Sequence, residues 1–251
     1  MLGVGELGSA IVTGLCRDVP EPPGVVLSPR GAVAVAKLAE AFGTVRVADG
    51  NQGVVDAADV VLVCLRQADL PALGELTWRA DQVVISASAG LSLDRLAEVA
   101  APARTVARAV PMPAVARRAS VTPVQPPLPE AVALFDRLGG TLPLDTAEQF
   151  DAIFVGLGTV APFFEFLNTI AGFLEAHGVP AASARRLLAD SFVGIVQPLA
   201  DLPDPDFKAL VREYATPGGG NEQLAMLMRA DGVSEATRRG LDEVYRRFTS
   251  V

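Results

Sequence analysis

The chain opens with MLGVGELG (residues 1–8), followed by SAIVTGL (residues 9–15). Gly3, Gly5 and Gly8 form a G-x-G-x-x-G pattern, which in a dinucleotide-binding domain lets backbone approach a pyrophosphate at a helix N-terminus. The apolar residues of SAIVTGL predict that helix, but only Met1 and Leu2 stand where about five apolar strand residues are usual. The pattern therefore leaves two interpretations open, a dinucleotide loop and a glycine-rich surface turn.

Composition describes a folded globular protein, because the 251 residues are 50% hydrophobic and 20% charged. The 21 basic and 29 acidic side chains give a net charge of -8, and the sequence has no basic stripe of the kind that nucleic-acid binding requires. We find no apolar run of the roughly 18 residues that a membrane span needs, and no basic leader before an apolar segment. We therefore expect a cytoplasmic protein with no nucleic-acid and no membrane partner.

Side chains that could bind a metal are scarce in this sequence. Cys16 and Cys64 lie in apolar surroundings without C-x-x-C spacing, so we predict free thiols. His177, the only histidine, stands in EAHGVP, a pattern typical of a helix C-terminus. We expect no metal site and no mechanism built on a histidine base.

Residues 24–144 alternate short β-branched runs with helix-like segments. The strand runs include VVLS (25–28), VRVA (45–48), VVLVCL (60–65), QVVISAS (82–88) and TLPLD (141–145). Strands that are apolar on both faces and separated by helices indicate a parallel sheet covered on both sides. The sequence predicts a doubly wound α/β domain whose first strand-to-helix turn is the glycine cluster, while SVTPVQPPLPE (120–130) is interpreted as a rigid loop.

The pattern changes after about residue 149, where long helical segments replace the alternation. The first of them, covering 150–178, is apolar nearly all round, which indicates burial against other helices or another subunit. We predict an α/β fold with an N-terminal Rossmann-type parallel-sheet domain at 1–145 and an all-α dimerisation domain at 146–251.

The end of the second predicted strand bears on the choice of cofactor. Asp or Glu there selects the free ribose hydroxyl of NAD(H), and a cation accommodates the 2′-phosphate of NADP(H). This chain has Ser28-Pro29-Arg30 and no carboxylate at that point, and Arg offers a charge-assisted fork for phosphate. The turn predicts NADP(H); the alternative is an ordinary solvated turn.

Several separated motifs resemble one family, the pyrroline-5-carboxylate reductases of proline biosynthesis. They are GVGELGSAIVTGL (3–15), SPR (28–30), VVLVCLRQADL (60–70), VVISASAGLSLDRL (83–96), RAVPMPA (108–114), LGTVAPFFEFL (157–167) and ATPGGGNEQL (215–224). The resemblance implies hydride transfer from NADPH to the carbon of a cyclic imine, giving proline from 1-pyrroline-5-carboxylate. Such chemistry needs positioning more than it needs a metal or a strong base, because a protonated imine is already electrophilic.

The resemblance also implies a site and an assembly. Cofactor contacts would come from Gly3, Gly5, Glu6, Leu7, Gly8, Ser28, Arg30, Cys64, Leu65, Arg66, Ala87, Ala89, Gly90 and Pro111. Substrate would lie between the domains, against a partner subunit's helices, near Gly158, Thr159, Thr216, Pro217, Gly218, Gly219, Gly220 and Asn221. The helical domain would form a homodimer or a larger homo-oligomer.

The turn before Glu222 has two interpretations from its own residues. It could be a helix N-terminus whose free N–H groups receive a carboxylate, or a loop in which Asn221 serves as the cap. The resemblance favours a role in the reaction, because the family's Thr beside the imine nitrogen aligns with Asn221. We therefore assign Asn221 as the catalytic candidate.

The chain also departs from the family. Val110-Pro111-Met112-Pro113 replaces Met-Pro-Asn-Thr-Pro, and Val160 stands in a stretch where the family has Gly-Ser-Gly-Pro-Ala. These changes leave open a reductase of a different carbonyl, imine or deazaflavin substrate, or a catalytically silent NADP-binding paralogue. The short first strand predicts either a true start upstream of Met1, which we favour, or a loss of cofactor binding.

Overall fold

A computed structural model of the protein describes residues 1–249. The chain divides into two units, Met1–Phe154 and Val155–Val251. Strands belong to the first unit, whereas the described part of the second consists of helices and connecting turns. The predicted fold class, a Rossmann-type domain followed by a helical domain, is confirmed.

The strands of the first unit form a largely parallel sheet. They are β1 (Val25–Leu27), β2 (Val45–Val47), β3 (Val60–Val63), β4 (Val83–Ser86), β5 (Thr105–Ala109), β6 (Thr122–Gln125) and β7 (Thr141–Pro143). β1 pairs with β2, β3 with β4 and β4 with β5, all in parallel. β6 runs antiparallel to β5, and β7 is parallel to β6.

The segment Met1–Leu2 occupies the place of the missing first strand. The Leu2 N–H donates to the Leu62 carbonyl at 2.9 Å, and the Cys64 N–H donates to the Leu2 carbonyl at 2.7 Å. On the other side, the Ser28 N–H donates to the Met1 carbonyl at 3.0 Å. Two buried residues therefore connect β1 to β3, and the strands follow the order of a doubly wound dinucleotide domain.

Helices cover both faces of this sheet. The first unit contains the helices α1 (Glu6–Cys16), α2 (Ala32–Ala41), α3 (Asn51–Asp56), α4 (Leu93–Val99) and α5 (Pro129–Asp136), with 3₁₀ helices at Gln67–Glu75 and Pro113–Arg117. Leu62 packs into one apolar cluster, and its neighbours Val61 and Val63 pack into another. This alternation follows from the period of two in a strand, and each fully buried aliphatic side chain contributes about 1.5–3 kcal/mol.

The stretch 120–130 is not the loop that its prolines predicted, because it contains β6. The Val110 N–H donates to the Pro123 carbonyl at 3.0 Å, and the Thr122 N–H donates to the Gly140 carbonyl at 2.9 Å. Neither hydrogen bond uses the N–H that proline lacks, so Pro123 is tolerated in the strand. The sheet is therefore mixed at this edge.

The helices of the C-terminal half begin just before the second unit. They are α6 (Ala147–Leu157), α7 (Val160–Ala176), α8 (Ala181–Val196), α9 (Phe207–Tyr214), α10 (Gly220–Ala230) and α11 (Val233–Thr249), with a 3₁₀ helix at Gln197–Asp201. The segment predicted as one helix over 150–178 is divided at Gly158 and Thr159. The Thr159 hydroxyl donates to the Gly156 carbonyl at 2.8 Å, a local bond that competes with the helical pattern. Ser250, predicted to end the last helix, lies outside the described residues.

The α7 surface is apolar and exposed. Phe164 and Phe173 each keep 62% of their surface open. By length and composition alone, the segment Ala147–Ala176 could cross a membrane. Its most apolar stretch has a mean hydropathy of 1.6, and 11% of that stretch is buried inside the protein. This corrects the expectation that the chain holds no such run. An exposed aromatic face is also what a predicted subunit contact would require.

Candidate functional site

The three glycines of the first turn meet three different spatial demands. Gly3 has φ of +89°, and a Cβ there would lie 2.5 Å from the Cys64 carbonyl oxygen. A Cβ at Gly8 would lie 2.6 Å from the Gly3 carbonyl oxygen, whereas one at Gly5 would meet no atom within 4 Å. A dinucleotide loop requires a tight turn, an open face for the pyrophosphate, and close packing of the helix on the strand. The residues therefore fit that cofactor.

A cleft of about 300 Å³ opens at this turn. Its lining residues are Gly3, Val4, Gly5, Arg30, Gly31, Cys64, Leu65, Arg66 and Asp69. Gly5 is the N-cap of α1 and makes no side-chain hydrogen bond, so the positive end of the helix borders the cleft at Gly5. The structure thus brings together six predicted cofactor residues and adds Val4, Gly31 and Asp69.

Ser28 binds the backbone of the glycine loop and does not line the cleft. Its side chain is buried, and its hydroxyl accepts a hydrogen bond from the Gly3 N–H at 3.0 Å. The Ser28 backbone N–H is occupied by the Met1 carbonyl. Of the predicted pair, only Arg30 therefore lines the cleft.

Asp69 is the charged residue of the cleft that sequence reasoning missed. Its Oδ1 lies 2.7 Å from Nη1 of Arg30, and its Oδ2 lies 3.2 Å from Nε of Arg66. The hydrogen bond from Arg30, more than that from Arg66, holds the pKa of the Asp69 carboxyl below its usual value, although desolvation opposes the shift. The Arg66-x-x-Asp69 spacing was a usable signal, but the contact with Arg30 spans 39 positions.

The remaining predicted cofactor residues follow the strands or open α1. Ala87, Ala89 and Gly90 follow β4, Pro111 follows β5, and Glu6 and Leu7 lie in the first turn of α1. Among the residues that the structure describes, the cleft is lined by others and by none of these six. The carboxyl ends of parallel strands share one edge of a sheet, where this class of domain binds its ligand.

Both cysteines are free thiols, as predicted. Burial raises the pKa of the Cys64 thiol to about 12, so the group is neutral at the edge of the cleft. In residues 1–249, no group of three or more His, Cys, Asp or Glu side chains could hold a metal ion. His177 ends α7, with its Nδ1 2.8 Å from the Phe173 carbonyl oxygen, as its sequence context predicted.

The predicted substrate turn leads into α10. The Gly219 N–H donates to the Thr216 carbonyl at 2.8 Å, and Gly218 has φ of +73°. The Gly218 N–H donates to the Glu222 carboxylate at 2.8 Å, so the chain's own acid already occupies one donor of this turn. The other backbone donors at this turn are the N–H groups of the first turn of α10.

Asn221 does not cap this helix, so that alternative is wrong. The cap is Gly219, and Asn221 lies within the first turn of α10. Its Nδ2 donates to the Tyr214 carbonyl at the end of α9, at 3.2 Å. Gly158 and Thr159 lie on a different turn, between α6 and α7, and Pro217 lies with Gly220 at the exposed start of α10.

Comparisons with known proteins match both halves of the chain. Residues 1–90 match the family described as NADP oxidoreductase, coenzyme F420-dependent, and residues 147–251 match the family of pyrroline-5-carboxylate reductase dimerisation domains. The pyrroline-5-carboxylate reductase of Corynebacterium melassecola is 28% identical over 212 residues, covering 77% of this chain and 76% of that protein. The enzyme of that name from Escherichia coli is 26% identical over 246 residues, covering 94% and 91%.

Solved structures share the fold. The 1-pyrroline-5-carboxylate reductase of Streptococcus pyogenes aligns with a TM-score of 0.82 at 22% identity, covering 100% of this chain and 97% of that one. The Plasmodium falciparum pyrroline carboxylate reductase with NADP bound aligns with a TM-score of 0.80 at 12% identity, covering 99% and 95%. At these identities the likeness concerns the fold.

Proposed function

We propose, from the premise that this chain belongs to the pyrroline-5-carboxylate reductase family as a divergent member, that it is an NADPH-dependent reductase of a cyclic imine. Reduction of 1-pyrroline-5-carboxylate to proline is the reaction to test first, and it would place the enzyme in proline biosynthesis. The observation that carries the proposal is the glycine loop, in which Gly3, Gly5 and Gly8 each meet a separate demand of a dinucleotide site.

The first unit would hold the cofactor through its backbone and its arginines. The N-terminus of α1 and the open face at Gly5 suit the pyrophosphate, and Arg30 and Arg66 suit the 2′-phosphate. When bound, NADPH supplies a hydride for the imine carbon. The neutral Cys64 thiol at the cleft edge adds no competing charge.

The chain's own part in the chemistry is to bind and orient the imine. A protonated imine carries an N–H donor on its nitrogen, and the Asn221 amide oxygen is an acceptor of the right kind. The bond from Asn221 Nδ2 to the Tyr214 carbonyl fixes the amide and leaves Oδ1 to the substrate. The N–H groups of the first turn of α10 suit the substrate carboxylate. No side-chain base is needed, because the imine is activated by its own proton.

The proposal includes a homodimer or larger homo-oligomer formed through the C-terminal helices. Its support is the exposed aromatic face of α7, together with the match of residues 147–251 to a dimerisation family. We also propose a cytoplasmic location without membrane or nucleic-acid partners. The free thiols suit a reducing compartment, and the net charge of -8 disfavours a nucleic acid.

The test is NADPH oxidation by the purified full chain with a substrate panel. The panel contains 1-pyrroline-5-carboxylate, its larger-ring homologue, 1-pyrroline without the carboxylate, an open-chain ketone and an oxidised deazaflavin. Fastest turnover of a carboxylated ring supports the proposal. Turnover of the deazaflavin alone would support the second candidate function, which the match of residues 1–90 favours. NADPH binding without turnover of any compound would indicate a silent paralogue.

A further inference from the structure

The cleft contains a carboxylate held between two guanidinium groups. Arg30 follows β1, whereas Arg66 and Asp69 follow β3, so two separate turns contribute to the group. Each oxygen of Asp69 receives one arginine, Oδ1 from Arg30 at 2.7 Å and Oδ2 from Arg66 at 3.2 Å. We call these three residues the charge triad. Its ion pairs give the cleft a net positive charge with one internal anion.

The three members of the charge triad differ in exposure. The Arg30 and Arg66 side chains keep 67% and 82% of their surface open, but that of Asp69 keeps 17%. The Asp69 backbone N–H donates to the Arg66 carbonyl at 2.8 Å, at the start of the 3₁₀ helix Gln67–Glu75. The carboxylate is therefore tied to the fold, whereas the guanidinium groups reach solvent.

The turn that carries Arg30 is pressed against the glycine loop. Gly31 has φ of +89°, and a Cβ there would lie 2.9 Å from the Val4 carbonyl oxygen. This close approach brings Arg30 to the same cleft as Gly3 and Gly5. The charge triad thus belongs to the cleft that suits the dinucleotide.

We infer that Asp69 is a specificity-determining residue that weakens the preference for NADPH over NADH. The inference rests on the proposed use of a nicotinamide cofactor. The carboxylate competes with the 2′-phosphate of NADPH for the guanidinium groups of Arg30 and Arg66. It also supplies the hydrogen-bond acceptor that a free ribose hydroxyl seeks, because the turn after β1 carries no carboxylate of its own.

Electrostatics gives the direction of the effect. A phosphate that enters the triad gains contacts with arginines but meets a carboxylate of the same sign, and like charges at short range repel. NADH meets no such repulsion and leaves the ion pairs intact. Arg30 and Arg66 therefore favour NADPH over NADH less strongly than they would if neither were paired with Asp69.

The variant Asp69→Asn keeps the shape of the side chain and removes its charge. Calorimetry on the full chain would measure the Kd of NADPH, NADH and adenosine 2′,5′-bisphosphate. We expect NADPH and the bisphosphate to bind about five- to tenfold more tightly, and NADH to bind equally or about threefold more weakly. Because no turnover is measured, the readout is independent of the substrate.

Two further variants separate the charge triad from general effects. Glu75→Gln removes the same charge from the same 3₁₀ helix, but Glu75 is exposed and does not line the cleft, so its Kd values should match the wild type. Arg30→Ala should weaken NADPH and the bisphosphate and leave NADH unchanged.

Three outcomes would contradict the inference. Weaker NADPH binding by Asp69→Asn would show that the carboxylate orients the arginines for phosphate, and an unchanged ratio of the two Kd values would show that it has no role. Both leave the proposed function standing. A wild-type chain that binds neither NADPH nor NADH would overturn the inference and the proposed function together.

Discussion

A Cβ atom on Gly8 would lie 2.6 Å from the carbonyl oxygen of Gly3. This distance means that α1 packs against the preceding turn with room for a hydrogen atom and no more. Gly5, between the two, faces open space instead. Within one short motif, Gly8 therefore permits close packing of α1 and Gly5 leaves open space for a ligand. Variants at the two positions can separate these roles.

Gly8→Ala should destabilise the protein by about 1–3 kcal/mol, because the methyl group would force backbone atoms apart. Gly5→Ala should leave the melting temperature nearly unchanged and weaken NADPH binding, since its methyl group would project at the lining of the cleft. Thermal unfolding and a binding titration on both variants test this division. Equal loss of stability in the two variants would contradict it.

Arg108 is the main buried charge of the first unit. Its guanidinium donates to Gln125 at 2.9 and 3.2 Å and to Asp151 at 3.1 Å, and it lies 4.2 Å from the centre of the Phe150 ring. Arg108→Met should reduce the free energy of unfolding by about 3 kcal/mol, because Asp151 would keep a charge without its partner. Urea denaturation would measure the loss.

The matched control for that experiment is Arg95→Met. Arg95 pairs with Glu98 on the surface of α4, where both side chains are mostly exposed. Such a pair contributes less than about 1 kcal/mol. A similar loss of stability in both variants would show that burial of Arg108 has no special effect.

The contacts of the charge triad lead to a prediction about the pKa of the Asp69 carboxyl. Arg30→Ala should raise the pKa of the Asp69 carboxyl toward its usual value, and Arg66→Ala should raise that pKa by less, because the Arg30 hydrogen bond is the largest cause of the depression. NMR of the side-chain carboxyl resonance would measure both shifts.

The sign for stability follows from the lowered pKa of Asp69. A carboxyl whose pKa is depressed by folding contributes stability above its unfolded pKa of about 3.9, and the contribution is lost as pH falls through the folded pKa. The triad should therefore be intact at neutral pH. A larger pKa shift in Arg66→Ala than in Arg30→Ala would contradict this prediction, because it would make Arg66 the dominant contact of Asp69.

The apolar face of α7 predicts assembly. Phe164→Glu and Phe173→Glu each place a charge on an exposed aromatic position and should shift the chain from dimer or larger oligomer to monomer. Val121→Glu, at a similarly exposed apolar position of the first unit, should leave the mass unchanged. Analytical ultracentrifugation at micromolar concentration gives the answer. A wild-type chain that sediments as an active monomer would refute the prediction.

Asn221 predicts a change in substrate use. Asn221→Ala should lower kcat/KM about ten- to hundredfold, through loss of the amide that receives the imine N–H. The Kd of NADPH should stay the same, since the cleft residues belong to the first unit. Asn221→Thr should raise activity on 1-pyrroline-5-carboxylate if the native substrate is a different ring. Full activity of the Ala variant would leave Asn221 only its bond to the Tyr214 carbonyl.

Six of the fourteen predicted cofactor residues line the cleft, and the glycine turn among them follows from local sequence. The roles of Gly3, Gly5 and Gly8 depend on a turn that joins a strand to a helix within a few residues. The exposed Arg30 lies in the turn after β1, as expected. Ser28 was less predictable, because its burial depends on Met1 and Gly3, which lie far from it in the sequence.

Local periodicity by itself determined the alternation of strands and helices, the helical second half and the glycine turn, since each depends on the spacing of apolar residues and glycines within a short window. Only the tertiary structure decided that Met1 and Leu2 join β1 to β3 and that a proline-containing segment becomes β6. It also decided that a carboxylate from beyond β3 reaches Arg30. Backbone pairing and charge contacts of this kind form between residues distant in sequence, and their partners are set by the order of strands in the sheet.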